Sequence, residues 1–262
     1  MKNNRTLLIC IITIVALFIG AIVIVPQLTK KPSDDIEPSN LDISGYDLNK
    51  FIDANEDNGG IADHVKGADI ESAKVVLFEY ADYQCSGCAT VNPWIKELLA
   101  EYGDEVAIVY RDLPLTSIHP NAIAAASAVE AAGLQGYWEE YGDLVFANQA
   151  EWFYSTGSKR TEYFANYFNT VSGGKGDVNK FKADMAGEAV KAKVNFDRAI
   201  AESLGIVATP TIFDANGKEI DWASADSTKT GVINFFRNYF NEALGREETP
   251  VETTEETYDY YY

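Results

Sequence analysis

Three cysteines, two histidines and two methionines are all that this chain of 262 residues contains. So few thiols exclude a disulfide-dense scaffold. They leave too few ligands for a zinc site built from paired cysteines, which takes about four. Basic residues are scarce as well: 21 Lys and Arg stand against 40 Asp and Glu, a formal net charge of −19. Residues 1–31 hold four basic and no acidic side chains, so the remainder carries 17 basic and 40 acidic ones, a balance of −23. Such a surface repels nucleic acid and anionic headgroups, and no nucleic-acid partner is expected. It reads first as a solubilising surface and only weakly as a docking face for cationic clients. No internal repeat is visible.

Long apolar runs are absent except at one place. Residues 7–25 (LLICIITIVALFIGAIVIV) form 19 consecutive residues without a charge. As a helix they span roughly 28 Å at about 1.5 Å per residue, close to a bilayer core of about 30 Å. A cleaved signal peptide is the rival reading, but its apolar stretch is typically about 7–15 residues. The expectation is therefore an uncleaved single-pass anchor over residues 1–31. Cys10 lies inside it as an inert apolar residue. The basic residues on the two sides nearly balance, so orientation rests on position: an early apolar segment followed by a long domain usually exports that domain.

Residues 32–61 are polar and acidic, with Pro32, Pro38 and Gly59-Gly60, and read as a tether with one short helix around 47–54. Residues 246–262 hold six acids, one Arg and four Tyr without apolar periodicity, the composition of a disordered tail. Between them, VVLFEY (75–80) and EVAIVY (105–110) are apolar runs of the kind buried on both faces of a sheet. Val91, Trp94, Ile95, Leu98 and Leu99 make a helical stripe between these runs, closed by Gly103. A β-α-β unit of that length implies parallel strands with a right-handed crossover. Helices follow over 121–132, 135–148, 160–170, 178–190 and 192–204. TIFD (211–214) and KEIDW (218–222) then flank Asn216-Gly217, a hairpin signal. A last amphipathic helix carries Val232, Phe235, Phe236, Tyr239 and Phe240.

The two cysteines outside the apolar run, Cys85 and Cys88, are spaced C-x-x-C where the first strand hands over to the first helix. Residues three apart at a helix start are neighbours, so their sulfurs can close a small disulfide ring. Unpaired amides at the helix N-terminus favour a thiolate on the first sulfur. A cysteine so placed drops from about 8.5 into the range of about 3.5–7.5. Thiolate is both nucleophile and leaving group in disulfide exchange. Cys85 is thus expected to attack, and Cys88, one turn in, to resolve the mixed disulfide. A purely structural bridge is the bland alternative, but so short a loop adds little stability. Glu79 sits mid-strand, where burying a carboxylate is costly. It reads as the proton acceptor and donor for Cys88, or else as a residue on a solvated strand edge. His64 and His119 read as capping or loop residues, and Tyr83 and Gln84 as the rim of the site. No metal and no cofactor is expected.

The order β-α-β, helical block, β-β-α with C-x-x-C at the first helix resembles the thioredoxin fold, an α/β class, and within it the DsbA-like branch with a helical insertion at about 119–190. The matching stretches are VVLFEYADYQCSGC (75–88), RDLPLTSIHPNAIAAASAVEAAGLQGYWEEYGDLVFAN (111–148) and LGIVATPTIFDANGK (204–218). They place the resemblance over roughly 62–243, within a domain over 62–245 between tether and tail. It implies that Glu79 is the buried acid, that Pro210 is a cis-proline facing the disulfide, and that Thr209, with Ser86 and Gly87, contacts an extended client. It also implies the introduction of disulfides into exported, cysteine-containing proteins outside the cytoplasm, with a membrane redox partner. Ser86-Gly87 departs from the Pro and His that strongly oxidising relatives often carry there. The direction of electron flow therefore stays open between oxidase and reductase or isomerase. A non-catalytic binding or chaperone module is the alternative of another class.

Overall fold

The two apolar runs become the parallel centre of one four-stranded sheet. The computed structural model describes residues 41–246. Strand β1 is His64–Gly67, β2 Val75–Ala81, β3 Val106–Asp112 and β4 Thr211–Asp214, in the order β1-β3-β2-β4. β2 and β3 are parallel, while β1 and β4 run antiparallel along the two edges. Helix α1, Ser86–Tyr102, joins β2 to β3 and ends where the Gly103 N–H returns to the Leu99 carbonyl. The helical insertion comprises α2 (Ala122–Gly133), α3 (Trp138–Ala147), α4 (Gln149–Trp152), α5 (Gly157–Val171), α6 (Val178–Asp184) and α7 (Glu188–Ser203). Helix α8, Lys229–Ala243, closes the described part.

Alternation along the strands sends successive side chains to opposite faces. Leu77, Ile108 and Ile212 pack beneath Val91, Ile95 and Leu98 of α1 and Val232, Phe236 and Phe240 of α8. Phe78, Tyr80 and Val109 face the other way, toward Phe196 and Ile200 of α7. Burying each such side chain contributes roughly 1.5–3 kcal/mol, so both faces of the central strands hold the sheet in place.

Four expectations change. Strand β1 had no sequence signal, since HVKG is short and half polar. It exists because it completes a ladder on β3. Its end needs glycine: Gly67 has φ +86°, and a Cβ there would stand 2.5 Å from the Val106 carbonyl oxygen. Residues 41–61, expected within a tether, lie on the domain, with Ile52 and Ile61 buried. The Arg111 guanidinium donates to the carbonyls of Leu48 (2.7 Å) and Lys50 (2.8 Å), and extended chain and turns replace the helix expected over 47–54. KEIDW keeps only a single bridge, Phe213 to Glu219, after the turn at Gly217 (φ +77°), and Trp222–Ser224 turn into a short 3₁₀ segment. The expected anchor over 7–25, the first part of the tether and the tail beyond Arg246 lie outside the described residues. Among the described residues no helix is long and apolar enough to cross a membrane.

Candidate active site

β2 leaves the sheet at Ala81, and the chain turns immediately. The Cys85 N–H bonds the Asp82 carbonyl at 3.0 Å, and the Asp82 carboxylate accepts from the Gln84 N–H at 2.7 Å. The insertion clasps this turn. Gln149 donates to the carbonyls of Tyr83 (2.9 Å) and Cys85 (3.1 Å), and Gln84 donates to that of Phe153 (2.9 Å). Gln84 also accepts from the Asn121 N–H at 2.6 Å. Tyr83 and Gln84 are therefore buried braces, not the rim residues expected from their position. Polar side chains 37 to 69 residues apart hold the turn, a pairing that spacing along the chain does not display.

Cys85 caps α1 and is half-buried; Cys88 is 1% exposed; both are free thiols. The Cys88 thiol beside it, then Thr209 and the backbone amides of Cys88 and Gly87, hold Cys85 at about 5 against its partial burial. Burial pushes the Cys88 thiol far up, and the neighbouring Cys85 adds to this, against the Asp82 N–H that donates to its sulfur at 3.5 Å. The pair is thus one reactive thiolate and one protected thiol, the asymmetry that disulfide exchange needs.

Pro210 meets the pair. The Thr209–Pro210 bond is cis, and the Cys85 thiol donates to the Thr209 carbonyl at 3.3 Å. A Cβ on Gly87 would lie 3.5 Å from Pro210 Cδ and 3.6 Å from Cys85 Sγ, so the dipeptide between the cysteines faces the proline loop. Ser86 is exposed beside it. Tyr154, Ile118 and Val207 are exposed large apolar side chains on three of the loops that meet here: after α4, before His119, and before Thr209.

Glu79 is 3% exposed, which removes the solvated-edge reading. Burial pushes its carboxyl up, and Lys66 works against that. Lys66 had no sequence signal because its strand had none. Its ammonium donates to Asn92 at 2.8 Å and lies over the Tyr110 ring at 5.1 Å. A cavity of about 310 Å³ is lined by Lys66, Asn92, Lys96 and Asp143, not by the cysteines. His119 is a loop residue, as one of the two readings had it, with Nδ1 2.7 Å from the Asp82 carboxylate; His64 is neither cap nor loop but the first residue of β1, with Nε2 2.9 Å from the Glu130 carboxylate. Among the described residues no group of side chains is arranged to hold a metal ion.

The family model described as thioredoxin matches residues 61–234. Curated relatives include the Na(+)/H(+) antiporter NhaA 1 of Mycolicibacterium gilvum, 36% identical over 159 residues, 60% of this chain and 24% of that protein. Na(+)/H(+) antiporter NhaA 3 of Salinispora tropica is 35% identical over 156 residues, 60% of this chain and 22% of that protein. The chain spans about a quarter of the length of these relatives. Among solved structures, BdbD of Bacillus subtilis in its oxidised form aligns with a TM-score of 0.56 at 19% identity, over 75% of this chain and 98% of that one. Alpha-DsbA1 of Wolbachia pipientis aligns with 0.52 at 22%, over 70% and 91%. MdbA of Corynebacterium diphtheriae, a thiol-disulfide oxidoreductase, aligns with 0.50 at 21%, over 71% and 93%. These likenesses show a thioredoxin-like α/β fold with a mixed sheet and a helical insertion.

Proposed function

The chain belongs to the thioredoxin family, and on that premise we propose that it is a protein thiol–disulfide oxidoreductase working through Cys85 and Cys88. The observation that carries this reading is the asymmetry of the pair: a half-exposed Cys85 held at about 5 and a buried Cys88 held far above the usual thiol range. In the oxidising direction a client thiolate attacks the Cys85 sulfur of the disulfide. The Cys85–Cys88 bond breaks, and Cys88 leaves as a thiolate that takes a proton from Glu79. A second client thiolate then attacks the client sulfur of the mixed disulfide, and Cys85 leaves as a thiolate. Two electrons pass to the protein and the client gains its disulfide. The exposed loops bearing Tyr154, Ile118 and Val207 offer apolar contact to an extended or unfolded client, and the Thr209 carbonyl offers it a backbone acceptor.

The finer reading is disulfide formation in exported, cysteine-containing proteins. A stabilised Cys85 thiolate supports it, because a stable reduced form makes a strong oxidant. The apolar run at 7–25 supports single-pass anchoring in the cell membrane with the domain outside the cytoplasm, where a membrane redox partner re-oxidises the pair. Reductase or isomerase activity is the second reading, favoured by Ser86-Gly87, which places no cation between the cysteines. The test is the reduction potential of the full chain in glutathione buffers, read by alkylation and mass. About −120 to −180 mV fits a disulfide donor, whereas about −270 mV, the level of thioredoxin, makes the reductase reading the correct one. Failure of Cys85 to exchange with glutathione at all would remove both.

A further inference from the structure

Glu79, Tyr110 and His64 stand in one row across three strands, in register Glu79 to Tyr110 and Tyr110 to His64. Paired residues point to the same face of a sheet and neighbouring strands lie about 4.8 Å apart, so the row spans about 10 Å. The face is that of α1, since Leu77, two residues before Glu79, packs under Ile95. Asp112, two residues beyond Tyr110, shares it. At the far end of the row, His64 on the edge strand pairs with Glu130 of α2 at 2.9 Å, and its side chain is 17% exposed.

Two atoms inside this group are buried without a hydrogen-bond partner among the described residues: Tyr110 Oη and Asp112 Oδ2. An unsatisfied buried polar atom is destabilising, so each calls for a reason. Asp112 lies against Glu130, and burial, then Glu130 and Asp197, push its carboxyl far up. Tyr110 stays neutral for the same reason, burial. Beyond that pair, Asp197 and Lys193 of α7 face Asp112; Tyr83, from the turn before α1, faces both Asp112 and the Tyr110 ring at 5.5 Å; Cys88 faces Tyr110; and Lys66 of β1 faces Glu79 and lies over the Tyr110 ring.

We propose that Tyr110, Asp112 and the Glu130–His64 pair carry the proton that Glu79 exchanges with Cys88, so that it enters and leaves at the β1 edge rather than at the disulfide surface. The inference rests on the redox reading above. When Cys88 gives up its proton to attack a mixed disulfide, Glu79 takes it; the Tyr110 hydroxyl, which has no hydrogen-bond partner in the resting chain, turns to accept it while releasing its own toward Asp112. The Asp112–Glu130 pair then passes one proton to the His64 imidazole, which exchanges with solvent. No electron moves along the row.

Tyr110→Phe isolates the role, because it deletes one orphan atom and keeps the ring. The full chain is loaded with glutathione on Cys85, and release of glutathione by Cys88 is followed from pH 5 to 9 by acid quench and mass. Expected is a Cys88 step about tenfold slower with a flattened pH profile, below the full general acid–base contribution of about 10²–10⁴. Attack of Cys85 on oxidised glutathione stays unchanged. Asp112→Asn slows the same step, and the double variant is no slower than the single ones. A Tyr110→Phe chain with the wild-type rate and pH profile overturns the proposal, whatever its stability. A wild-type chain that forms no glutathione adduct removes the redox reading as well, a result distinct from the first.

Discussion

The Cys85 thiol donates to the carbonyl oxygen of Thr209 at 3.3 Å, across 124 residues of chain. A carbonyl accepts only from the protonated sulfur. The bond to the carbonyl is therefore lost when Cys85 ionises, and the thiolate is held by the Cys88 thiol, the Thr209 side chain and the helix amides instead. Ionisation also leaves the Thr209 carbonyl free to accept another hydrogen bond.

From this follows the pH dependence of the potential. Cys85 is depressed in the folded reduced chain, so its contribution is full above about pH 9 and is lost as pH falls through about 5. Between those limits reduction takes up one proton per two electrons; below about 5 it takes up two. The potential should fall by about 30 mV per pH unit above pH 5 and by about 59 mV per unit below it. Equilibration with glutathione at several pH values reads the slope. A uniform slope of about 59 mV up to pH 8 would mean that Cys85 is an ordinary thiol.

Gly87→His should make the protein a stronger oxidant. A Cβ at Gly87 has ordinary van der Waals room beside Pro210 and the Cys85 sulfur. A cationic imidazole there favours the thiolate, and the expected rise is about 30 mV or more, tenfold in the exchange constant. An unchanged potential with an intact fold would show that this dipeptide does not tune the thiolate.

Lys66→Met should raise the Glu79 carboxyl further. Lys66 is the cation that opposes the burial of Glu79. Its loss should move the pH dependence of the Cys88 step upward. Glu79→Gln should remove that dependence and slow the step without abolishing it. If the profile of Glu79→Gln matches wild type, Glu79 is not the proton acceptor.

Arg111→Met should destabilise by about 3–5 kcal/mol, the cost of breaking a buried ion pair from one side. Arg111 and Lys193 bond the two oxygens of Asp63 at 2.8 and 3.0 Å, all three side chains being fully buried. Burial works against ionised Asp63, but Lys193 and Arg111 hold its carboxyl low. A depressed carboxyl contributes stability that is present above its unfolded value of about 3.9 and is lost as pH falls below that. Denaturant midpoints at pH 7 and pH 3 check both statements, and the variant should lose the difference between them. An unshifted midpoint at pH 7 would deny the cluster its role in holding residues 48–63 to the sheet.

The C-x-x-C pair with its outer and inner thiol, the buried carboxylate and the β-α-β core were legible in the linear chain because each is a local signal. C-x-x-C at a strand-to-helix junction, a carboxylate inside an apolar run and unbroken apolar strands depend only on near neighbours. Position alone misread Tyr83 and Gln84, because the residues that bury them, Phe146 and Asn121, arrive from the insertion. Composition likewise misread 41–61, whose polar content conceals Ile52 and the carbonyls that Arg111 binds.

The sequence by itself determined which two sulfurs lie side by side and which helix presents them, since covalent spacing and helix geometry need no tertiary partner. Only the folded chain decided how far apart the two thiols titrate, that Thr209 and Pro210 face them, and that Tyr110 and His64 line up beside Glu79 with Lys66 on the same face of the sheet. Those outcomes depend on burial and on strand register, which are set by contacts between residues far apart in the chain.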